Sequence, residues 1–308
     1  MPIATTNGID VCYEEGGAPD ASALLLVMGF TAQLIAWPDT FVDGLVERGF
    51  RVIRFDNRDC GLSTKLTGRQ VDLAALLTGQ VTDIPYTLSD MAADAIGLLD
   101  HLGIDRAHIV GASMGGMIAQ TIAVEHPDRV LSLCSIMSTT GGRDVGQPTA
   151  AALAALLTAP PATREEAIER GIEAGRIIGS PAYPMDKAVE RERAGRTYDR
   201  SFYPEGATRQ LAAILTQPDR AVALGAVSVP TLIVHGTDDP LVTVSGGHAT
   251  AKAIPSSELL EIAGMGHDLP EALVDQIADA VARNAARPGQ ESTRNEETTQ
   301  LVSGMRRT

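Results

Sequence analysis

The stretch Ile109-Val110-Gly111-Ala112-Ser113-Met114-Gly115-Gly116-Met117 determines our interpretation of the whole chain. The pattern predicts a buried strand that ends at Gly111 and a helix that begins near Met114. Glycines two residues before and two residues after Ser113 permit a turn that is too tight for side chains at those positions. Such a turn holds the serine in a strained conformation and exposes its hydroxyl at the top of a sheet. The pentapeptide also fits an ordinary strand-to-helix turn, so the rest of the sequence must decide.

Composition and charge limit the classes of protein. The chain has 308 residues, 44% of them hydrophobic and 4% aromatic, which is ample for the core of an enzyme-sized α/β domain. A net charge of −14 argues against nucleic acid and anionic membranes as partners, since both attract positive surfaces. Cys12, Cys60 and Cys134 have neither a metal-binding nor a disulfide spacing, so we expect no metal site and a reducing compartment. We also expect no other cofactor. With no signal peptide or membrane-spanning run visible, we expect a cytoplasmic protein.

Apolar strands alternate with amphipathic helices over two parts of the chain. The predicted strands cover residues 9–15, 23–28, 51–55, 108–110, 130–137, 229–236 and 258–262. The predicted helices cover residues 39–48, 87–102, 245–253 and 270–285, together with the helix that begins near Met114. This alternation predicts an α/β fold with a mostly parallel, doubly wound sheet, formed by residues 1–138 and 228–286.

The alternation stops between residues 139 and 227, which we call the cap segment. It has no strand pattern, and its Ala-rich and charged helical stretches, such as 164–178 and 187–197, are separated by prolines. We predict a helical cap or lid. Because it follows a strand whose end lies at the same sheet edge as Ser113, it should cover the pocket and determine substrate choice rather than chemistry. Residues 287–308 are polar and aperiodic, which predicts a disordered tail.

A serine nucleophile requires a histidine base and a carboxylate that orients the histidine. In a parallel sheet, all three groups should lie on loops that follow strands. Residues 235–240, His-Gly-Thr-Asp-Asp-Pro, follow one predicted strand, and the glycine-rich loop with His267 follows the last one. The remaining five of the six histidines lie at helix or strand ends or within a helix. His267 is therefore the predicted base.

The order of these residues along the chain distinguishes between classes of serine hydrolase. The order Ser113, Asp239, His267 is that of the α/β hydrolases, whereas other serine hydrolase folds use different orders. Asp238 stays open as the acid, in which case Asp239 would merely support the turn.

Acyl transfer also requires two hydrogen-bond donors for the oxyanion of the tetrahedral intermediate. One predicted donor is the backbone N–H of Met114, the residue after the nucleophile. The other is the backbone N–H of Phe30, in the loop that follows the strand ending at Met28, where Gly29 allows the chain to turn.

Five segments within residues 9–137 and 229–285 match a known family: Leu24-Leu25-Leu26-Val27-Met28-Gly29, Trp37-Pro38-Asp39, Val52-Ile53-Arg54-Phe55-Asp56-x-Arg58-Asp59-x-Gly61-x-Ser63, Ala107-His108-Ile109-Val110-Gly111-x-Ser113-Met114-Gly115 and Gly264-Met265-Gly266-His267. With these segments the chain resembles α/β-hydrolase-fold serine esterases with a helical cap. Within that superfamily it is most similar to aclacinomycin methylesterase-type enzymes and related actinobacterial esterases. In this family the catalytic aspartate directly precedes proline, which favours Asp239. Many relatives have His-Gly where this chain has Met28-Gly29, but a backbone N–H donor does not depend on the side chain.

The resemblance also implies roles for residues near the nucleophile. Asp56, Arg58 and Gly61 are expected to be structural, forming an ion pair and a turn that hold the adjacent loop. Gly29 and Trp37 are expected at the substrate pocket, with packing under the cap as an equal alternative for Trp37.

The leading functional hypothesis is hydrolysis of a hydrophobic or mixed carboxylic ester by water through an acyl-Ser113 intermediate. The same three residues could serve two alternatives, hydrolysis of a C–C bond or cofactor-free perhydrolysis that supports halide oxidation. A small-molecule receptor without turnover is disfavoured by the complete set of catalytic groups. A small-molecule ester is the expected partner, and a homodimer stays open.

Overall fold

Eight strands form one sheet in the computed structural model, which describes residues 1–80 and 83–289. The order across the sheet is β1-β2-β4-β3-β5-β6-β7-β8. The strands are β1 (Ile3–Thr6), β2 (Ile9–Gly16), β3 (Ser22–Val27), β4 (Phe50–Phe55), β5 (Ala107–Ala112), β6 (Val130–Ile136), β7 (Thr231–Gly236) and β8 (Ser257–Ile262). β1 and β2 are antiparallel to their neighbours and the other strands are parallel, which confirms the predicted mostly parallel sheet.

Helices follow most of the parallel strands. Within the described residues they are α1 (Asp39–Glu47), α2 (Leu73–Leu77), α3 (Leu88–His101), α4 (Met114–Glu125), α5 (Ala150–Leu156), α6 (Arg164–Ile178), α7 (Lys187–Arg200), α8 (Glu205–Thr216), α9 (Ala221–Leu224), α10 (Ser245–Ala253) and α11 (Val274–Ala285). No helix of the described residues is long and apolar enough to cross a membrane.

The sheet is buried on both faces, which explains the continuous apolar runs in its central strands. In β3, Leu25 and Val27 point into one core layer, and Leu24 and Leu26 point into the other. Helices α3 and α4 contribute to the first layer, and α1 and α11 to the second. The alternation of strand and helix therefore produces the predicted three-layer arrangement.

Residues 139–227, the cap segment, contain helices α5 to α9 and no strand. α6 and α7 pack against each other as an antiparallel hairpin, joined by ion pairs such as Arg164–Asp199. Of the predicted disordered tail, residues 290–308 lie outside the described residues.

The ends of three parallel strands create the site. β5 ends at Ala112, directly before Ser113. β7 ends at Gly236 and β8 at Ile262, so the loops that carry Asp239 and His267 leave the sheet at the same edge as the serine.

Candidate active site

Ser113 lies on a strained turn between β5 and α4. Its φ of 57° and ψ of −122° lie in a region that residues with a Cβ rarely occupy. A Cβ added to Gly111 would lie 2.1 Å from the Gly115 carbonyl oxygen, and one added to Gly115 would lie 2.0 Å from the Val27 carbonyl oxygen. Both flanking positions therefore require glycine, and the turn has the geometry of a nucleophile elbow rather than that of an ordinary strand-to-helix turn.

Three of the predicted residues form a chain of hydrogen bonds. The Nε2 atom of His267 lies 2.9 Å from Ser113 Oγ, and its Nδ1 atom lies 2.7 Å from Asp239 Oδ2. The other oxygen of Asp239 accepts the N–H groups of Leu241 and Val242, each at 2.9 Å. Because an ionised carboxylate only accepts hydrogen bonds, His267 Nδ1 carries a proton and the Nε2 lone pair faces the serine hydroxyl.

Asp238 occupies a different environment from Asp239. Its side chain is exposed, and its Oδ2 accepts hydrogen bonds from Thr237 Oγ1 at 2.8 Å and from the N–H of Gly264 at 2.9 Å. These bonds join the loops that follow β7 and β8. Asp238 thus supports the turn, and the carboxylate of Asp239 is the one that faces His267.

His235 is a buried neighbour of this chain that the sequence analysis did not single out. Its Nε2 atom lies 2.7 Å from the carbonyl oxygen of Val242 and 3.6 Å from Asp239 Oδ2. Burial lowers the pKa of His235, so the ring is neutral at neutral pH and donates its Nε2–H to Val242. The only sequence signal was a polar residue near the end of an apolar strand.

The loop that carries His267 is held by the cap segment. The backbone N–H of His267 donates to the carbonyl oxygen of Ile178 at 2.7 Å, and the N–H of Gly266 donates to Ser180 Oγ at 2.8 Å. Ser180 Oγ donates in turn to the carboxylate of Asp268, whose pKa is raised by burial. The connection between α6 and α7 is therefore bonded directly to the histidine loop.

Residues 28–31, which we call the Gly29 loop, lie against Ser113. A Cβ added to Gly29 would be 3.1 Å from Ser113 Cβ and 3.6 Å from Ser113 Oγ. The N–H of Met114 is the first of α4 and has no intrahelical acceptor, and the N–H of Phe30 follows Gly29. Among the described residues neither N–H has a hydrogen-bond acceptor, so both are available to a bound group. The N-terminal end of the α4 dipole adds partial positive charge there.

Asp56, Arg58 and Gly61 support the region as expected, but the ion pair differs from the prediction. The carboxylate of Asp56 pairs with Arg200 of α7 at 2.8 Å, and Arg58 pairs with Asp94 of α3 at 2.6 Å. Gly61 has φ 52°, and a Cβ there would lie 2.1 Å from the carboxylate of Asp56. Residues close in sequence thus bind partners on different helices.

Trp37 does not lie at the substrate pocket, which was one of the two positions left open for it. Its side chain is completely buried and stacks on Phe41, with ring centroids 5.6 Å apart, in the core layer beneath α1 and α11. A side chain without exposed surface cannot contact a substrate in this structure, so Trp37 packs the core.

Comparisons with known proteins agree with this geometry. The family model for the alpha/beta hydrolase fold matches residues 22–271. A rhodomycin D methylesterase from Streptomyces peucetius is 30% identical over an alignment of 302 positions, which covers 90% of this chain and 95% of that protein. A 2-hydroxy-6-oxononadienedioate/2-hydroxy-6-oxononatrienedioate hydrolase from Paraburkholderia phymatum is 28% identical, with 83% and 84% of the two chains covered.

A crystal structure of the enol-lactonase from Burkholderia xenovorans LB400 matches with a TM-score of 0.71 and 24% identity, over 93% of this chain and 100% of that chain. This match supports the fold, and the methylesterase match confirms the resemblance expected from the motifs. The chain belongs to the α/β-hydrolase fold family.

Proposed function

We propose that the protein is a serine ester hydrolase with Ser113 as nucleophile, His267 as base and Asp239 as the acid that orients the base. The observation that carries the proposal is the hydrogen-bonded chain from Ser113 through His267 to Asp239, beside two backbone N–H groups that have no acceptor among the described residues. Ser113 is only partly buried, so a substrate can reach its hydroxyl.

The geometry supports a two-step reaction. In acylation, the Oγ proton moves to Nε2 of His267 while Oγ attacks the ester carbonyl carbon. The resulting oxyanion accepts hydrogen bonds from the backbone N–H groups of Phe30 and Met114. The tetrahedral intermediate collapses when His267 gives that proton to the leaving alkoxide. In deacylation, water attacks the acyl carbon while His267 takes one of its protons. His267 then gives that proton to Ser113 Oγ as the bond from Oγ to the acyl carbon breaks and the acid leaves. Asp239 stays ionised and stabilises the imidazolium.

The net charge of −14 favours a neutral ester over a dianionic substrate, because it repels anions. Arg58, Arg200 and Arg209 are each paired with a buried carboxylate. Arg220 is also buried, but among the described residues it pairs with no carboxylate and donates to Gln120 Oε1 and to the carbonyl oxygen of Thr139. The relative named for its action on dienedioates and trienedioates therefore carries less weight here than the methylesterase relative.

The apolar side chain of Phe30 favours a hydrophobic or mixed ester, because it is partly exposed and directly follows Gly29, which lies against Ser113. We assign the cap segment, residues 139–227, to substrate selection, and residues 1–138 and 228–286 to the catalytic core. The expected reactants are a small-molecule ester and water.

The test is a panel of p-nitrophenyl esters of increasing acyl length together with aromatic methyl esters, assayed with wild-type protein and Ser113→Ala. We expect wild-type turnover and a fall of roughly a thousandfold or more in Ser113→Ala, because the nucleophile is lost while the fold is kept. The second candidate is C–C bond hydrolysis, supported by the dienedioate hydrolase relative. Inertness toward every ester combined with cleavage of a 2-hydroxy-6-oxo dienoic acid would establish it instead.

A further inference from the structure

The Gly29 loop is held in an unfavourable backbone conformation at the point where it leaves the nucleophile. Thr31 has a φ of 55°, in the left-handed region that β-branched residues avoid. Asn57 Nδ2 donates to the carbonyl oxygen of Met28 at 2.8 Å, and Cys60 Sγ lies 3.2 Å from the carbonyl oxygen of Thr31. A conformation of this kind persists only when several surrounding groups hold it.

The contact to the N–H of Thr31 comes from the cap segment. Gln210, on α8, is completely buried, and its Oε1 accepts the N–H of Thr31 at 2.7 Å. Its Nε2 donates to the carbonyl oxygen of Arg58 at 2.9 Å. The two partners have opposite polarity, so they fix the orientation of the amide. The bond joins residues 179 positions apart in the chain.

α8 is anchored beside this contact by a buried ion pair. The guanidinium of Arg209 forms two hydrogen bonds to the carboxylate of Asp59, at 2.8 and 2.9 Å, and both side chains are almost completely buried. Gly206 lies so close to Asp59 that a Cβ would be 2.3 Å from its carbonyl oxygen. These contacts fix the position of Gln210 relative to the α/β core, so the amide is a rigid support for the loop.

We infer that Gln210 is a positioning residue that aims the Phe30 N–H at the oxyanion. The inference rests on the proposed function. The Phe30–Thr31 peptide unit ends in the N–H that donates to Gln210. Loss of this hydrogen bond would let Thr31 relax from its positive φ and would turn the Phe30 backbone away from Ser113. Complete removal of one oxyanion donor lowers kcat by about 10²–10³ in hydrolases of this chemistry. If the donor is still present but points in the wrong direction, kcat should fall less, by about 10- to 100-fold.

The test compares Gln210→Met, which keeps the length and removes both hydrogen bonds, with Gln210→Glu, which keeps an acceptor for the Thr31 N–H. The matched control is Gln33→Met. Gln33 is also a buried amide between core and cap segment, with Nε2 donating to the carbonyl oxygens of Thr197 and Ser201 and Oε1 accepting from Arg200 Nη1 at 2.7 Å, but its side chain makes no bond to the Gly29 loop. For each variant we would measure the melting temperature, kcat and KM for p-nitrophenyl acetate, and the Ki of an aryl trifluoromethyl ketone. The hemiketal oxyanion of that inhibitor mimics the transition state.

We expect Gln210→Met to lower kcat about 10- to 100-fold with KM nearly unchanged. The Ki of the trifluoromethyl ketone should rise by the same factor by which kcat/KM falls. Gln210→Glu should retain more of kcat than Gln210→Met, and Gln33→Met should lower the melting temperature without this loss. Wild-type kcat in Gln210→Met, or an equal fall in Gln33→Met, would overturn the inference. If Gln210→Met does not fold, a fall in Gln210→Glu with unchanged ketone affinity would also overturn it. Failure of the proposed function is distinguishable, because wild-type protein would then hydrolyse no ester.

Discussion

Replacing Asp239 by Asn tests the electrostatic basis of the proposed triad while hardly changing the size of the side chain. The Asn Oδ1 can still accept the N–H groups of Leu241 and Val242, which Asp239 binds at 2.9 Å each. The NH₂ group must then face Nδ1 of His267, where the carboxylate lies at 2.7 Å. Nδ1 becomes an acceptor, the proton moves to Nε2, and Ser113 faces an N–H instead of a base.

The expected loss is large because the pair is shielded from water. The side chain of Asp239 has no exposed surface and that of His267 is 8% exposed. The substitution imposes the wrong tautomer and removes the charge that stabilises the imidazolium, a combination that lowers kcat by about 10⁴ in serine proteases. At 1.36 kcal/mol for each factor of ten, this is about 5.4 kcal/mol of transition-state stabilisation.

The control is Asp238→Asn, which makes the same chemical change one residue earlier. Asp238 is exposed and its contacts are Thr237 and Gly264, so we expect an effect of about 0.5 kcal/mol, or roughly twofold. Steady-state kcat with p-nitrophenyl acetate and a melting temperature would be measured for both variants. Comparable losses in the two, or a larger loss in Asp238→Asn, would refute the assignment of Asp239 as the orienting acid.

Two further predictions concern the fold around the site. Gly115→Ala should lower the free energy of unfolding by about 3 kcal/mol or more, because its Cβ would lie 2.0 Å from the Val27 carbonyl oxygen; near-normal stability in urea would contradict this. Burial lowers the pKa of His108 to about 4, so the unfolded chain takes up the proton first as pH falls below 6.5 and stability is lost. Between pH 7 and 5 the free energy of unfolding in urea should fall by about 2 kcal/mol more in the wild type than in His108→Gln. Parallel pH dependences of the two proteins would contradict this prediction.

Much of the fold was predictable because the central strands and helices have strong local patterns. Continuous apolar runs such as residues 23–28 identify strands buried on both faces, and the structure places β3 there. Two short elements were not predicted, β1 with four residues at the sheet edge and α2 with five, because neither is long enough for periodicity to reveal. The three residues of the hydrogen-bonded chain were also found from sequence, because each follows a strand whose end is set by the topology.

The contacts that hold the site were not predictable from sequence. The bonds from Gln210 to Thr31 and from Arg200 to Asp56 join residues far apart in the chain, through the packing of α7 and α8 on the core. No local pattern records such pairings, because they depend on how the cap segment docks. The choice between pocket and packing for Trp37 stayed open for the same reason, since an aromatic residue beside a pocket-forming loop has the same local sequence in either environment.

The most direct test of the central claim is to trap the acyl-enzyme during hydrolysis of p-nitrophenyl acetate. Wild-type protein would be mixed with excess ester, quenched in acid within the first turnovers, digested and analysed by mass spectrometry, with p-nitrophenol release followed in parallel. We predict a burst of p-nitrophenol and an acetyl group on the peptide that contains Ser113, with neither in Ser113→Ala. Steady turnover with Ser113 unmodified and the acetyl group on another residue would contradict the account.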